Sequence, residues 1–256
     1  MEASDVGRCM ALTPASPSRR AEPFARMVDG IRGDVGRYVF YMREDRILGP
    51  KRPAWLWATL RNQGLQAQLV FRFGKWLSEV DPQVPGARLA LGVLKVAYAL
   101  AHRLVEITTG ISIAEGAEIG PGLYIPHFGG VIIGTVVIGS NCTVANGAHV
   151  APQRTRGSSG CPRLGDRVFL GPGSKVFGDL SIGDDVAVGA NAVVTTTVPA
   201  RAVVVGAPAR VTSYRGSFDI LEYPGMDADQ SRRASLEAAD SDLSESADLT
   251  TLPAKD

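Results

Sequence analysis

The sequence predicts a mainly β protein, a solenoid of short parallel strands that follows an α-helical N-terminal domain. Two observations carry this prediction: hydrophobic residues recur every six positions from residue 113 to residue 194, and glycine follows many of them. A helix repeats every 3.6 residues and a flat strand every two, so a period of six matches neither. A short fixed period is typical of a β-solenoid, in which each repeat forms one face of a coil.

Each hexad is expected to be a short strand followed by a turn. Its first residue points into the core, and a compact residue such as Ala117 or Cys142 occupies the fifth place, near a corner. Three hexads make one triangular coil, so the thirteen hexads encode about four coils. The predicted inward positions are Ile113, Ile119, Ile125, Ile132, Ile138, Val144 and Val150, then Leu164, Leu170, Val176, Ile182, Val188 and Val194.

The repeat is interrupted in two places. One extra residue enters between Ile125 and Ile132, in the segment IPHFGGV, and a longer loop, APQRTRGSSGCPR, covers 151–163. Loops on a rigid scaffold often carry function. The first interruption contains His127, with Gly129 and Gly130 close behind it, and glycines allow the backbone to approach a ligand.

The segment from Ile111 to Val211 resembles the left-handed parallel β-helix of hexapeptide-repeat acyltransferases. Within that group it is most similar to serine acetyltransferases and to their relatives encoded with surface-polysaccharide genes. The stretches that carry the resemblance are GAEIGPGLYIPHFGGVIIG, IGSNCTVANGAHV, PRLGDRVFLGPGSKVFGDLSIGDDVAVGANAVVTTTVP and VVVGAPAR. The resemblance implies transfer of an acetyl group from acetyl-CoA to a hydroxyl, in a homotrimer with its sites between subunits.

Acetyl transfer from a thioester to an alcohol needs a base that takes the hydroxyl proton. Neutral imidazole, with an ordinary pKa of about 6.5, suits this task. His127 matches the catalytic histidine of the family. Ser112 stands fifteen residues earlier, where the family has an aspartate that orients the ring, and Asn146 is expected to stack one coil beyond His127. Ser112 or Asn146 is therefore predicted to orient the His127 ring.

Two further departures from serine acetyltransferases bear on the acceptor. Pro126 replaces an acid that helps to hold serine in the family, and Cys161 replaces a second histidine. An ammonium in a closed site needs a carboxylate partner, so the sequence favours a sugar or polysaccharide-precursor hydroxyl over free L-serine. A serine O-acetyltransferase of cysteine biosynthesis and a non-catalytic scaffold are the alternatives. With serine as acceptor, Glu106 or Glu115 would have to supply the missing charge.

The cofactor is expected to meet cations of the 151–163 loop. Arg154 and Arg156 lie in a stretch without acids and suit the phosphates of CoA. The resemblance places the pantetheine chain along the edge of the solenoid, beside Ser174, Ala192, Thr195 and Arg210. The spacing of cysteines and histidines indicates no metal site.

The chain divides into a disordered N-terminus (1–22), an α-helical domain (23–108), the β-helix (109–213) and a mostly disordered C-terminal extension (214–256). The first residues lack the apolar core of a secretory signal, which favours a cytoplasmic protein. A net charge of +1 gives no reason to expect a nucleic-acid partner.

The segment 87–107 is unusually apolar. Its polar residues Arg88, Lys95 and His102 are spaced seven apart and form a narrow stripe, and its longest uncharged run of six residues is too short to span a bilayer. Two interpretations stay open. The helix is buried against a neighbouring helix or the trimer, or it lies in the plane of the membrane at its inner face, with its cations reaching the surface.

Overall fold

A computed structural model describes residues 23–44, 53–80, 85–155 and 158–249. Within these ranges, helices come first, a three-faced parallel β-helix follows, and a C-terminal segment folds back beside it. The disorder predicted for 1–22 lies outside the described residues. The N-terminal helices are α1 (Pro23–Glu44), α2 (Ala54–Arg61), α3 (Gln63–Glu79) and α4 (Pro85–Thr109).

The helices close the first coil of the solenoid. The buried side of α3 includes Ala67 and Phe71, which belong to the same hydrophobic core as the solenoid interior. Val105 of α4 packs against that core as well. The open end of the β-helix would otherwise expose its apolar axis to water, so this packing removes a costly surface.

Each face of the prism is one sheet. The first contains β1 (Ile111–Ile113), β3 (Val131–Ile133), β6 (His149–Ala151), β11 (Lys175–Phe177) and β14 (Val193–Val194). The second contains β2 (Glu118–Ile119), β4 (Val137–Ile138), β9 (Arg163–Leu164) and β12 (Ser181–Ile182). The third contains β5 (Thr143–Val144), β10 (Phe169–Leu170), β13 (Ala187–Val188), β15 (Val203–Val205) and β16 (Arg210–Ser213). A small antiparallel ribbon in the 151–163 loop pairs β7 (Gln153–Thr155) with β8 (Ser158–Gly160).

The first places of the hexads form the solenoid core, as the sequence predicts. Ile125, Val144 and Val188, for example, are completely buried. At the corner between the third face and the first, Gly130, Gly147 and Gly173 stack on one another with φ near +70°. Glycine adopts this left-handed backbone without the strain of a Cβ, so the column of glycines turns the chain at each coil.

Ile132 is the exception, because it is 42% exposed while Val131 and Ile133 are buried. Eight residues separate Ile125 from Ile133, two more than a hexad, and only five separate Ile133 from Ile138. The corner takes two extra residues and the next turn is one residue shorter, so the net insertion is the predicted single residue. The predicted inward position Ile132 is wrong, because Ile133 points inward instead. Side chains alternate along a strand, so a shift of one residue moves Ile132 to the outer face.

The C-terminal extension also differs from the prediction, because much of it is ordered. It contains a short 3₁₀ helix (Met226–Ala228) and the helix α5 (Gln230–Leu249). Asp229 caps α5: its Oδ1 accepts hydrogen bonds from the main-chain N–H groups of Ser231 (3.0 Å) and Arg232 (3.1 Å). The acidic, serine-rich composition suggested a solvated tail, but composition does not reveal a cap.

A buried arginine attaches this extension to the β-helix. Arg167 donates two hydrogen bonds to Asp185, at 2.6 and 3.0 Å, and a third to Ser231 Oγ at 2.9 Å. The Arg167 carbonyl accepts a bond from Ser217 Oγ at 2.7 Å. Ionic hydrogen bonds in a site closed to water hold both partners firmly, so the extension is fixed along this side of the solenoid.

The surface of α4 that faces away from the fold is apolar. In the described part of the chain, no helix combines the length and hydrophobicity needed to cross a membrane. Large exposed side chains nevertheless follow one side of α4, with spacings of three and four residues. We call these residues the α4 outer stripe: Leu89, Val93, Val96, Leu100, Leu104 and Ile107.

Candidate active site

His127 lies at the corner where the chain passes from the third face of the prism to the first. Its side chain is exposed, and its loop is held by main-chain hydrogen bonds on both sides. Gly129 donates to the Thr109 carbonyl at 2.9 Å, and the Gly129 carbonyl accepts from Gly147 at 3.0 Å. The imidazole therefore projects from a fixed loop toward the outside of the solenoid.

The glycines of this loop are required by its geometry. Gly129 and Gly130 have φ of 95° and 69°. A Cβ at the neighbouring Gly110 would lie 3.2 Å from Gly129 Cα, which shows how closely the two backbone segments approach. Larger residues would push the loop away from the coil beneath it.

The outer surface of the first face forms a column of side chains beside the loop. Parallel pairing aligns Ser112 with Ile132, Ile132 with His149, and His149 with Lys175. Adjacent parallel strands lie roughly 4.8 Å apart, so consecutive members of the column are in reach of each other.

A carboxylate lies directly behind Ser112. The Ser112 hydroxyl donates a hydrogen bond of 2.6 Å to Glu106 Oε1, and the other carboxylate oxygen lies 3.3 Å from Arg103 Nη1 and 3.9 Å from His102 Nδ1. The bond from Ser112 holds the pKa of Glu106 below its ordinary value; burial opposes this effect, and His102 and Arg103 reinforce it. Ser112 thus stands in front of an ionised carboxylate.

His149 is a second imidazole near the His127 loop. Burial lowers its pKa, Lys175 lowers it further, and a hydrogen bond to the Gly130 main chain partly opposes both effects. Lys175 donates a 2.5 Å hydrogen bond to the Gly147 carbonyl. Neither residue is among the sites that the sequence predicts. The strand register would show that both face the His127 loop, but the register depends on where the inserted residues lie.

Asn146 lies one coil beyond the His127 loop, since the next residue, Gly147, bonds to Gly129. Its side chain is half-buried, and its carbonyl accepts a hydrogen bond from Gly173 at 2.9 Å. An orienting contact from Asn146 to the His127 ring stays a prediction, as does one from Ser112.

The predicted cofactor residues fall into three groups. Arg156 lies outside the described residues, and Arg154 is described only as backbone of β7. Thr195 and Arg210 are exposed at the last coils. Ser174 and Ala192 are completely buried, and their main-chain N–H groups already bond to Gly171 and Gly189. In the single chain the Ser174 hydroxyl is buried without a hydrogen-bond partner, and contact of Ser174 and Ala192 with pantetheine stays a prediction.

The part of the chain that the structure describes offers no set of ligands for a metal ion. No group of three or more His, Cys, Asp or Glu side chains converges there. Cys161, at the end of the long loop, is buried. The groups available for chemistry beside the loop are imidazoles, one carboxylate, one hydroxyl and one ammonium, which suit proton transfer and binding of a charged or polar acceptor.

Comparisons with known proteins agree with this arrangement. No family model matches the chain. A serine acetyltransferase of Mycobacterium tuberculosis is 37% identical over 186 residues, which cover 72% of this chain and 73% of the relative. One from Synechococcus elongatus is 32% identical over 66% of this chain and 65% of its own length. The structure of soybean serine acetyltransferase complexed with serine has a TM-score of 0.56 and 26% identity, over 72% of this chain and 70% of that chain.

The β-helix, its interrupted coil and the imidazole on the interruption define an acyltransferase of the hexapeptide-repeat class. The structural likeness confirms the left-handed β-helix behind an α-helical domain. With the identity and coverage of its relatives, the chain belongs to the serine acetyltransferase family. It is an acyltransferase with acetyl-CoA as co-substrate. The expected link to surface polysaccharides has no support in these similarities.

Proposed function

We propose that this protein transfers the acetyl group of acetyl-CoA to the hydroxyl of L-serine. The observation that carries the proposal is the 37% identity, over 186 residues, to a serine acetyltransferase. The sequence alone favours a sugar hydroxyl, but the similarity to serine acetyltransferases supports L-serine more strongly.

The Glu106 carboxylate answers one of the two objections to serine. The sequence disfavours serine because Ser112 and Pro126 stand where the family has acids. Glu106 restores a carboxylate at the first of these places, 2.6 Å from the Ser112 hydroxyl, and its lowered pKa keeps it ionised at neutral pH. An ammonium ion of the acceptor has a partner there.

His127 performs the proton transfer in this proposal. A ring nitrogen of His127 accepts the proton of the serine hydroxyl as its oxygen attacks the thioester carbonyl carbon. The C–S bond then breaks, the CoA sulfur leaves and takes up the proton, and O-acetylserine results. A positioned base of this kind contributes about 10²- to 10⁴-fold to the rate.

Acetyl-CoA is proposed to lie along the solenoid between the His127 loop and the last coils. Thr195 and Arg210 are exposed there, and Arg154 and Arg156 belong to the adjoining loop. Arginine suits phosphate because its planar fork of N–H donors matches the phosphate oxygens.

The functional unit is proposed to be a homotrimer in the cytoplasm, with its sites between subunits. His127 and Phe128 are both exposed in the single chain, and Phe128 is 63% exposed. A neighbouring subunit at this corner would cover that aromatic ring and enclose the imidazole.

Contact of the α4 outer stripe with a membrane surface stays a hypothesis, and flotation with anionic phospholipid vesicles tests it.

A second candidate acceptor is a neutral sugar hydroxyl, which Pro126 favours because no acid stands next to His127. A screen with acetyl-CoA separates the two, with release of the CoA thiol measured against L-serine, free sugars and nucleotide sugars. We expect saturation by L-serine with KM below about 1 mM, inside the ordinary range for enzymes. Turnover of a sugar without turnover of L-serine would overturn the serine proposal.

A further inference from the structure

The segment just before the catalytic loop is an open strand edge. Tyr124 pairs in parallel with Thr143 of β5, which makes residues 121–125 the first layer of the third face. In the described residues before Gly110 the chain is helical, so this layer has no strand neighbour on its other side. Its main-chain N–H and C=O groups there need other partners, because unpaired buried groups are costly.

Helix α1 supplies these partners from one of its faces. Asp34 accepts hydrogen bonds from the N–H groups of Gly122 and Leu123, both at 3.0 Å. Arg37 donates to the Gly122 carbonyl at 2.8 Å. Asp34, Arg37 and Tyr38 are spaced i, i+3 and i+4, so they lie on the same side of the helix.

Tyr38 holds the last residue of this edge, Ile125. The Tyr38 hydroxyl donates to the Ile125 carbonyl at 2.8 Å and accepts from the Ile125 N–H at 3.0 Å. Gln68 Nε2 of α3 donates to the same hydroxyl at 3.2 Å. The one donor and both acceptor sites of the hydroxyl are thus used, and Tyr38 and Ile125 are almost completely buried.

We infer that Tyr38 is a positioning residue for His127. Ile125 is two residues before His127, and Pro126 between them stiffens the connection. Without the hydroxyl, both main-chain groups of Ile125 are buried and unpaired, and the segment relieves that cost by moving. A shift of about 1 Å at a catalytic group lowers turnover by up to about a hundredfold. This inference rests on the proposed role of His127.

The test compares Tyr38→Phe with the matched control Tyr41→Phe. Tyr41 lies three residues further along α1, stacks on Tyr124 and donates its hydroxyl bond to the Glu222 carbonyl instead. We expect Tyr38→Phe to lower kcat about tenfold and to alter the pH-rate profile, with KM for acetyl-CoA within threefold of wild type. Tyr41→Phe should keep kcat and the KM for acetyl-CoA within twofold of wild type and leave the pH-rate profile unchanged. A Tyr38→Phe enzyme that folds and keeps wild-type kcat overturns the inference.

Amide hydrogen exchange of residues 125–130 gives a readout that needs no acceptor. It should rise about tenfold in Tyr38→Phe and stay unchanged in Tyr41→Phe; equal exchange in wild type and Tyr38→Phe also overturns the inference. If Tyr38→Phe does not fold, Gln68→Met removes only the third bond of the hydroxyl, and it should give a smaller loss of kcat; no loss counts against Tyr38. If the wild-type enzyme acetylated neither L-serine nor any sugar acceptor of the screen, the proposed function would be overturned. The comparison of hydrogen exchange would still decide whether Tyr38 holds the loop.

Discussion

Ser112 Oγ and Glu106 Oε1 lie 2.6 Å apart, joined by a hydrogen bond between the first strand of the β-helix and the last turns of α4. Ser112 occupies the position at which the sequence analysis expected an aspartate in a serine acetyltransferase. A negative charge is therefore present beside residue 112, but it belongs to Glu106 of helix α4. The Ser112 hydroxyl stands between that carboxylate and the outer surface of the strand. This relationship changes what substitution at residue 112 should do.

Ser112→Asp by itself should lower activity. It places a second carboxylate beside Glu106, and two carboxylates in contact cannot both ionise without cost. The double variant Glu106→Ser, Ser112→Asp keeps one carboxylate and moves it to the strand, so it should recover most of the lost kcat/KM for L-serine. Steady-state kinetics and thermal denaturation of the three enzymes check this. A single Ser112→Asp variant more active than wild type would contradict the argument.

Removal of the Glu106 charge should weaken the binding of L-serine more than the binding of acetyl-CoA. Loss of a partner for a buried ammonium costs about 2–5 kcal/mol, which corresponds to an increase in KM for L-serine of at least roughly thirtyfold in Glu106→Gln. The KM for acetyl-CoA should change little. Glu115→Gln is the matched control, since Glu115 is the other acid that could have supplied the charge. A larger effect at Glu115 would transfer the role to that residue.

His127→Ala should lower turnover by about a hundredfold or more, while the fold and acetyl-CoA binding persist, because the variant lacks the base. His149→Ala should cause a smaller loss, since His149 contacts the loop through Gly130. Thiol release under saturating substrates and calorimetric binding of acetyl-CoA measure both. If the His149 variant lost more activity than the His127 variant, the base would be His149.

The wild-type protein should be a homotrimer at micromolar concentration. A prism with an exposed imidazole and an exposed Phe128 at one corner leaves part of its site open, and three copies close a ring in which each corner meets a neighbour. Light scattering coupled to size exclusion measures the mass directly. A stable monomer with full activity would exclude a site shared between subunits.

The fold could be predicted from the sequence because a six-residue period has few structural explanations, and Ile125, Val144 and Val188 are buried as expected. The register of one strand could not. Ile132 faces outward because the chain takes two extra residues at the His127 corner and one fewer in the next turn, and counting residues does not show where a strand resumes.

The candidate site could be predicted only in part. His127 sits on the irregularity of the repeat, which made it visible. Glu106 is a candidate from the sequence, but its contact with Ser112 is tertiary. The contacts of Tyr38 with the strand edge and of Lys175 with Gly147 are not visible in the sequence at all. Ser174 matches a family motif but is completely buried, in the compact fifth place of its hexad just before β11.

The C-terminal extension should contribute stability that disappears in acid. Burial of Asp229 opposes its ionisation, but hydrogen bonds from Tyr223, Ser231 and Arg232, with the charge of Arg167, outweigh burial and hold the Asp229 pKa at about 2, below the ordinary 3.8. A carboxyl whose pKa is lower in the folded state stabilises that state above its unfolded pKa, and the contribution is lost as pH falls from about 4 to about 2.

Asp229→Asn separates this charge effect from the helix cap, since asparagine caps helices as well as aspartate does. Urea unfolding at pH 6 should show the variant less stable by on the order of 2 kcal/mol at most, because the side chain is 22% exposed and partly screened. The difference should shrink below pH 4, be small at pH 2, where the folded wild-type carboxyl is half protonated, and vanish only below pH 2. A deficit that stays constant from pH 6 to pH 3 would mean that Asp229 acts by shape and hydrogen bonding, without its charge.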